Sequence, residues 1–211
     1  QPAVVVRHQN IRWGYAEYQQ HVDALAMGLL AIGIGPGDRV GIWSPNRVEW
    51  CLTQFATAKI GAIMVCINPA YRPYELEYAL NKVECKAVIT AESFKTSEYL
   101  EMLQALVPEL AECAPGKLVS AKVPHLKSII RMGSEKTTGM FNFDEVCTMG
   151  GGAERDGGVR AVRAARRDRD RPLPAAHHGL DHVQDAGGGA GYARARRQDG
   201  RRRLHGRGLW E

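Results

Sequence analysis

The residues whose spacing comes nearest to a functional motif are three glycines, Gly33, Gly35 and Gly37, in the stretch GIGPGDRVGIW. Glycines at such intervals let a backbone approach a pyrophosphate when they follow a strand and open a helix. Here the order is reversed, because an apolar pattern of helical period precedes the glycines and a strand-like run, Arg39–Trp43, follows them. The sequence therefore predicts a turn that ends a helix.

Cysteine and histidine side chains could supply nucleophiles, bases or metal ligands. The five cysteines, Cys51, Cys66, Cys85, Cys113 and Cys147, lack the Cys-x-x-Cys pairing of a zinc or redox site. They are expected to be buried, reduced thiols of an intracellular protein. The isolated histidines, His8, His21 and His125, have no partner at triad or ligand spacing, and His177, His178 and His182 lack a fourth ligand for zinc.

Motifs that define large enzyme classes are absent from the 211 residues. There is no G-x-x-x-x-G-K-[ST] phosphate loop, no G-x-S-x-G nucleophile elbow and no H-E-x-x-H zinc helix. Spacing alone therefore assigns no catalytic residue and no metal ligand.

The elements that would position functional residues follow an alternation of strands and helices in residues 1–150. The predicted strands are Ala3–His8 and Ile11–Tyr15, paired as a hairpin through Gln9-Asn10, then Arg39–Trp43, Ala62–Ile67, Lys86–Thr90 and Ser128–Arg131. The predicted helices are Ala16–Ile32, Val48–Ile60, Pro73–Val83 and Ser97–Leu110, with a loop over Pro115–Pro124. This order favours an α/β fold, a parallel sheet flanked by helices.

For two of these helices the sequence also predicts a detail: the packed face of one and the first residue of the other. Along Val48–Ile60, the residues Trp50, Cys51, Gln54, Phe55 and Ala58 share one side, which predicts the packed face. Proline is favoured in the first turn of a helix, and the residue before it is extended, so Arg72 should end a loop and Pro73 should open the next helix.

Charge divides the chain into two parts. Residues 151–211 hold 14 arginines against 8 acidic residues, about +6, and no Lys, Ile, Phe, Met, Ser, Thr, Asn or Cys. Residues 1–150 hold 14 basic and 15 acidic residues, about −1. The expected organisation is a partial N-terminal α/β domain over 1–150 and a low-complexity, disordered Arg/Gly/Ala-rich tail over 151–211.

Two origins of the tail stay open. Its composition is what GC-rich codons yield in the wrong reading frame, which favours a frameshift or a misassigned gene end over a genuine extension. The rival interpretation is an arginine-rich arm on a non-catalytic α/β scaffold that binds nucleic acid or an acidic partner. Only Tyr192 and Trp210 offer aromatic rings for stacking on bases, and aspartates dilute the arginines, so nucleic acid is the less favoured partner.

The order of several short motifs resembles the N-terminal part of the adenylate-forming (AMP-binding) acyl-CoA synthetases. The motifs are the GDRV strand entry, the turn Ser44-Pro45-Asn46, the helix end Ala58–Ile63 (A-x-x-G-A-I) and the turn Asn68–Tyr71 (NPAY). Within that superfamily the likeness is to medium-chain fatty-acyl-CoA ligases of the acyl-CoA synthetase family member 2 type. It runs from about Pro2 to about Gly152.

The resemblance implies an ATP-dependent ligase that adenylates a fatty acid and then transfers the acyl group to coenzyme A, with Mg²⁺ assisting the first step. It also implies that Pro69, Ala70 and Lys95 lie near coenzyme A, although packing and a solvated lysine are alternative roles. The family's T-S-G-T-T-G-x-P-K-G phosphate loop is absent. The chain as given is therefore expected to be inactive and to bind none of these cofactors tightly.

Expectations about location follow from the N-terminus and from the apolar runs. No run approaches the roughly 18 to 20 residues that span a bilayer, and QPAVVVRHQN lacks a signal pattern. The sequence therefore predicts a cytoplasmic protein without a membrane span, with the mitochondrial matrix as the alternative compartment if the source is eukaryotic.

Overall fold

A computed structural model of the chain describes residues 1–133 and 135–150. The strands are β1 (Pro2–Val6), β2 (Ile11–Gly14), β3 (Arg39–Trp43), β4 (Ile63–Cys66), β5 (Ala87–Thr90), β6 (Ser93–Phe94), β7 (Ser97–Glu98), β8 (Ser128–Arg131) and β9 (Phe141–Asn142). The α-helices are α1 (Tyr15–Ala31), α2 (Val48–Ile60), α3 (Pro73–Lys82), α4 (Tyr99–Leu106) and α5 (Phe143–Met149), and short 3₁₀ helices cover Arg7–Gln9 and Pro108–Ala111. The expectations for the tail, residues 151–211, lie outside the described residues.

A five-stranded parallel sheet in the order β4-β3-β5-β8-β9 forms the centre of the fold. The chain steps from β3 to β4 in one direction and returns past β3 to β5, so right-handed crossovers place α2 and α3 on opposite faces. Contacts join α1 with both α2 and α5, and α3 with α4. This confirms the predicted α/β class with helices on both faces of a parallel sheet.

The central strands are buried almost throughout, which explains their unbroken apolar sequences. All of β5 and β8 is buried, and so are the last four residues of β3. A parallel strand covered on both faces needs apolar side chains at every position rather than at alternate ones. At the sheet's edge β4 is less covered, and Cys66 is exposed. Cys51, Cys113 and Cys147 are half-buried, so the prediction of five buried cysteines is correct only for Cys85.

The turns around the first helix behave largely as predicted. Gly33 and Gly37 have φ values of +85° and +82° between α1 and β3, which confirms the glycine run as a helix-ending turn. Between β1 and β2 the predicted two-residue turn is instead a 3₁₀ turn, Arg7–Gln9, followed by Asn10 with a φ of +52°. The expected positive φ at asparagine is present, but the loop is longer.

The predicted packed face of α2 is wrong. The buried side chains near its middle are Leu52, Thr53, Ala56 and Thr57, whereas Phe55 of the predicted face is exposed. The threonine hydroxyls donate to backbone carbonyl oxygens one turn earlier, with Oγ1 of Thr53 2.7 Å from the oxygen of Glu49. Because these hydroxyls form hydrogen bonds inside the helix, polar residues can occupy its buried face. The spacing of the apolar residues therefore predicts the wrong face.

The predicted helix Ser97–Leu110 is divided by a proline. Its first two residues form β7, α4 ends at Leu106, and a 3₁₀ turn begins at Pro108. Val107 has a non-helical backbone with φ −128° and ψ +74° because the ring of Pro108 disfavours the helical region for the residue before it. Among the described residues, no helix combines the length and apolar character needed to cross a bilayer.

Candidate functional site at the carboxyl edge of the sheet

The strand order singles out one place on the sheet for ligand binding. The connection after β3 runs to β4 on one side, and the connection after β5 runs to β8 on the other. Ligands of open α/β sheets bind outside the carboxyl ends of strands where the direction of connection changes. We therefore take the residues that follow β3, β4, β5 and β8 as the candidate site and call this surface the carboxyl edge.

Two stacked aromatic rings lie beneath the carboxyl edge. Trp43 ends β3 and Tyr99 begins α4, and their ring centroids are 3.8 Å apart at 16° with both side chains fully buried. Nε1 of Trp43 donates to the carbonyl oxygen of Asn68 at 3.1 Å, and the Tyr99 hydroxyl donates to that of Pro69 at 2.5 Å. Burial raises the pKa of Tyr99 to about 12, so the hydroxyl remains a donor at neutral pH. The two donors hold the Asn68–Pro69 turn onto the sheet.

The turn itself uses its own backbone donors. The Ala70 N–H donates to Oδ1 of Asn68 at 2.9 Å, and the Tyr71 N–H donates to the Asn68 carbonyl oxygen at 3.1 Å. Pro69 has no N–H. Pro69 is half-buried and Ala70 is exposed. A ligand can therefore touch this turn as a surface, but neither Pro69 nor Ala70 has a backbone N–H free to bind a phosphate.

Immediately after this turn, α3 begins where the sequence predicted. Pro73 is the first helical residue, and Arg72 has an extended backbone with φ −92° and ψ +168°. The carboxylate of Glu75 accepts the Arg72 N–H at 2.9 Å, one half of a capping box. Nη1 of Arg72 donates to the hydroxyl oxygen of Ser97 at 3.2 Å, so the start of α3 is tied to β7.

Lys95 lies in the tight turn of a small antiparallel hairpin, β6–β7. Its φ of +55° belongs to the left-handed region that tight hairpin turns use. The side chain is exposed, with Nζ 5.3 Å from the centroid of the Phe94 ring. Within residues 1–133 and 135–150, no carboxylate forms an ion pair with this ammonium group, so it is open to an anionic ligand.

The three residues predicted on the coenzyme A side lie on two segments that contact each other. The Tyr99 hydroxyl bonds to Pro69, and the Arg72 guanidinium bonds to Ser97, two residues beyond Lys95. The structure therefore brings the turn Asn68–Tyr71 and the hairpin β6–β7 to the same part of the carboxyl edge.

Sequence reasoning missed a buried arginine at this edge. Arg131 ends β8 and is only 3% exposed, and its Nη2 donates to Oε1 of Glu92 at 2.6 Å. Its Nη1 donates to the Glu135 carbonyl oxygen and the Thr137 hydroxyl, both at 2.8 Å. Burial lowers the pKa of Arg131, but the hydrogen bonds to Glu92 and Glu135 outweigh it and leave the pKa above its ordinary value. In the sequence, the only sign of this arginine's role is that a charged residue ends the apolar run SIIR.

This arginine fixes the loop after β8 against the end of β5. Gly133 has a φ of +94°, and a β-carbon there would overlap the Glu92 carboxylate. The side-chain amide of Asn142 donates to the carbonyl oxygens of Gly133 and Glu135 at 2.9 Å and 2.8 Å. These hydrogen bonds hold Gly133 and Glu135 beside the end of β5, on one side of the carboxyl edge.

Nucleophile and metal chemistry have little support in the described part of the chain. Burial raises the pKa of the Cys85 thiol, and that of Cys147, to about 12, so neither is a thiolate at neutral pH. The isolated histidines His8, His21 and His125 are exposed. Residues 1–133 and 135–150 contain no group of three His, Cys, Asp or Glu side chains placed to hold a metal ion.

Comparison with known proteins gives consistent matches to one family. A family model described as "AMP-binding enzyme" matches residues 1–154. The medium-chain acyl-CoA ligase ACSF2, mitochondrial, of Bos taurus is 45% identical over 150 residues, which are 71% of this chain and 24% of the relative. The protein of the same name from Danio rerio is 46% identical over 134 residues, which are 64% of this chain and 22% of that relative. The chain thus spans about a quarter of the length of these relatives.

Solved structures share the fold at lower sequence identity. The anthranilate CoA ligase AuaEII in complex with anthranoyl-AMP is 21% identical with a TM-score of 0.55, over 65% of this chain and 23% of its own. The N-terminal domain of FACL13 from Mycobacterium tuberculosis is 24% identical with a TM-score of 0.54, over 74% and 33% of the two chains. At these identities the likeness shows the fold alone.

Proposed function

The chain belongs to the AMP-binding enzyme family, and from that premise we propose that it is the N-terminal part of an ATP-dependent fatty-acyl-CoA ligase. The observation that carries the proposal is the 45% identity, over 150 residues, to a protein named as a medium-chain acyl-CoA ligase. The parallel sheet with its shaped carboxyl edge supports it, since α/β sheets bind ligands at that edge.

The proposed reaction has two steps. A fatty carboxylate first attacks the α-phosphorus of ATP, which forms an acyl-adenylate and releases pyrophosphate. The thiol of coenzyme A then attacks the acyl carbon, which forms the thioester and releases AMP. Mg²⁺ would assist the first step by neutralising phosphate charge.

Residues of this chain fit coenzyme A better than ATP. The exposed ammonium group of Lys95 has no carboxylate partner among the described residues and suits a phosphate as a compact cation. The turn at Pro69 and Ala70 would provide a contact surface for the ligand rather than hydrogen-bond donors, because the N–H groups of Ala70 and Tyr71 are already bonded to Asn68. Neither a glycine-rich phosphate loop in the sequence nor a metal-binding group among the described residues is available for ATP and Mg²⁺. We propose that the chain as given is inactive.

The proposed compartment is the cytoplasm, with the mitochondrial matrix as the alternative. Relatives from Bos taurus and Danio rerio are named as mitochondrial proteins. Cell fractionation with an antibody against residues 1–150 would distinguish the two compartments.

The test is an exchange assay on two proteins. The 211-residue chain should give no ATP–pyrophosphate exchange with octanoate above a no-enzyme control. A chimera that joins residues 1–150 to the remaining sequence of the Bos taurus relative should show octanoate-dependent exchange and form octanoyl-CoA. Exchange by the chain alone would contradict its inactivity, and a folded chimera without octanoyl-CoA formation would contradict the ligase proposal.

A further inference from the structure

The hairpin β6–β7, which carries Lys95, is closed at its base by Glu92. The carbonyl oxygen of Glu92 accepts the Tyr99 N–H at 2.9 Å and the Leu100 N–H at 3.4 Å, so the residue before the hairpin bonds to the residues after it. Each strand of the hairpin contributes only two residues. A two-stranded ribbon is at best marginally stable in water by itself. The position of Lys95 therefore depends on what holds the base of its hairpin.

A buried arginine holds the Glu92 side chain at that base. Nη2 of Arg131 donates to Oε1 of Glu92 at 2.6 Å, and Arg131 is only 3% exposed. Gly133 leaves room for the same carboxylate, which a β-carbon at that position would overlap. Two residues at and after the end of β8 are thus arranged around one carboxylate of the hairpin's base.

Neither ligand binding nor the stability of the sheet explains this arginine. Both terminal nitrogens of Arg131 are bonded within the fold, so the guanidinium is not available to a ligand. Burying a charge costs free energy, and an apolar side chain of similar volume is often at least as stabilising. What the arginine adds at the end of β8 is its bond to Glu92, which connects the central sheet to the hairpin.

We propose that Glu92 and Arg131 are positioning residues that hold Lys95 where it binds a phosphate of coenzyme A. The inference rests on the proposed ligase function and on the role proposed there for Lys95. It adds that the affinity for coenzyme A depends on a hydrogen bond at the base of the hairpin. Loss of the Glu92 carboxylate should loosen the hairpin and weaken coenzyme A binding through Lys95.

The charge of Glu92 separates this role from a direct electrostatic effect. Glu92 lies three residues before Lys95, and its side chain is 52% exposed. A carboxylate near a bound phosphate repels it, so by charge alone the loss of Glu92 would lower the KM for coenzyme A. The loss of positioning should raise that KM instead.

The octanoate-active chimera, with residues 1–150 of this chain, allows the kinetic test. Glu92→Ala should raise the KM for coenzyme A about three- to tenfold, at most as much as Lys95→Ala, since the largest loss is that of one exposed cation–phosphate contact. The double variant should match Lys95→Ala alone, because Glu92 acts only through Lys95. ATP–pyrophosphate exchange, which reports adenylation, should not change.

Two further variants serve as controls for the hydrogen bond itself. Glu92→Gln removes the charge but keeps an oxygen that can accept from Arg131, and its KM should stay within about twofold of the unsubstituted value. Glu135→Ala removes the other carboxylate that Arg131 contacts, at 3.2 Å, without touching the hairpin. Its KM should also stay within about twofold, since additive effects are expected only from the residue that holds Lys95.

Hydrogen exchange in the 211-residue chain tests the hold on the hairpin without any activity. The Tyr99 amide, which donates to the Glu92 carbonyl oxygen, should exchange at least about fivefold faster with Glu92→Ala than with Glu135→Ala. Amides of β3, which report global unfolding, should exchange equally in the two variants.

The outcomes separate this inference from the ligase proposal. If the chimera forms octanoyl-CoA and Glu92→Ala lowers the KM, leaves it unchanged or adds to the effect of Lys95→Ala, the positioning role is overturned and the ligase proposal stands. Equal exchange of the Tyr99 amide in the two variants would overturn the role as well. A folded chimera that forms no octanoyl-CoA would contradict the ligase proposal and this inference with it.

Discussion

Single residues at the carboxyl edge act mainly by holding backbone in place. The indole of Trp43 and the phenol of Tyr99 are buried, and each gives its one donor to a carbonyl oxygen of the turn at Asn68–Pro69. Lys95 differs from them, because its charge is exposed and has no acidic partner among the described residues. The expected effects of substitution differ accordingly.

Lys95→Ala in the octanoate-active chimera should raise the KM for coenzyme A about five- to tenfold. The reason is the loss of one partly exposed cation–phosphate contact, worth on the order of 1 kcal/mol. ATP–pyrophosphate exchange, which reports adenylation alone, should not change. Lys117→Ala, an exposed lysine of the loop before β8, is the control. An unchanged KM, or an equal fall in both half-reactions, would make Lys95 an ordinary surface residue.

Glu49 is a buried carboxylate at the start of α2, 9% exposed. It accepts hydrogen bonds from Nε2 of Gln9 at 2.9 Å and from Nη2 of Arg47 at 3.0 Å, while Oε1 of Gln9 accepts the Val48 N–H at 2.7 Å. Burial raises the pKa of Glu49, but the hydrogen bonds from Arg47 and Gln9 outweigh it, so the net pKa lies below the ordinary value. The β1–β2 hairpin thus caps α2 through one glutamine.

Acid should weaken this cluster in a defined pH range. A lowered folded-state pKa means that ionised Glu49 stabilises the fold above the unfolded pKa, about 4.3, and that this contribution is lost as pH falls through the folded value. Glu49→Gln should cost about 1 to 3 kcal/mol in urea unfolding at pH 7. The difference from the unsubstituted chain should shrink below pH about 4.3, whereas the exposed-site control Glu101→Gln should show no such trend. A pH-independent difference would contradict the assignment.

At the scale of elements, the close approach of α1 and α5 depends on a missing side chain. Gly28 lies in the last turn of α1, and a β-carbon there would overlap the carbonyl oxygen of Val146 in α5. Alanine favours helices more than glycine does, so propensity and packing make opposite predictions at this position. Packing should dominate, because the overlap is with backbone, which cannot rotate away.

Gly28→Ala should therefore lower the free energy of unfolding by about 1 to 3 kcal/mol. Gly35→Ala is the matched control, since a β-carbon there meets no atom within 4 Å and its φ is not in the left-handed region. Denaturant unfolding followed by circular dichroism measures both variants. Equal or greater stability of Gly28→Ala would show that helix propensity outweighs the α1–α5 contact.

At the scale of the whole molecule, the charge division at residue 150 coincides with the end of the family match. The AMP-binding family model ends at residue 154, and residues 151–211 carry about +6 with no lysine. We propose that this segment is read in a shifted frame. The rival proposal, an arginine-rich arm for nucleic acid, predicts a steep fall of affinity with salt.

Genomic DNA after the codon for Gly150 should decide between the two. One of the other two frames should encode a T-S-G-T-T-G-like loop within about 60 codons, the length of residues 151–211. If both frames lack such a loop, the frameshift proposal is wrong. A titration of the chain on RNA then tests the arm, and a slope of log affinity against log salt near zero would remove it.

Much of the fold was accessible from sequence because it depends on local backbone preference. Pro73 sets the start of α3, and the glycines at 33 and 37 form the turn between α1 and β3. The apolar runs at β3, β5 and β8 indicate strands of a parallel sheet that is covered on both faces. The family likeness was also accessible, because the order of several short motifs can be recognised in a single sequence. Pro108 also ends a helix by local preference, although the apolar spacing had predicted that the helix continues to Leu110.

Tertiary structure alone decided which distant residues meet. The pairing order β4-β3-β5 brings the end of β3 beside the turn after β4, so that Trp43 and Tyr99 can bond to Asn68 and Pro69. The exposure of Cys66 follows from the position of β4 at the edge. Periodicity records which way a side chain points along its own element, whereas strand order and burial arise from packing between elements far apart in the chain.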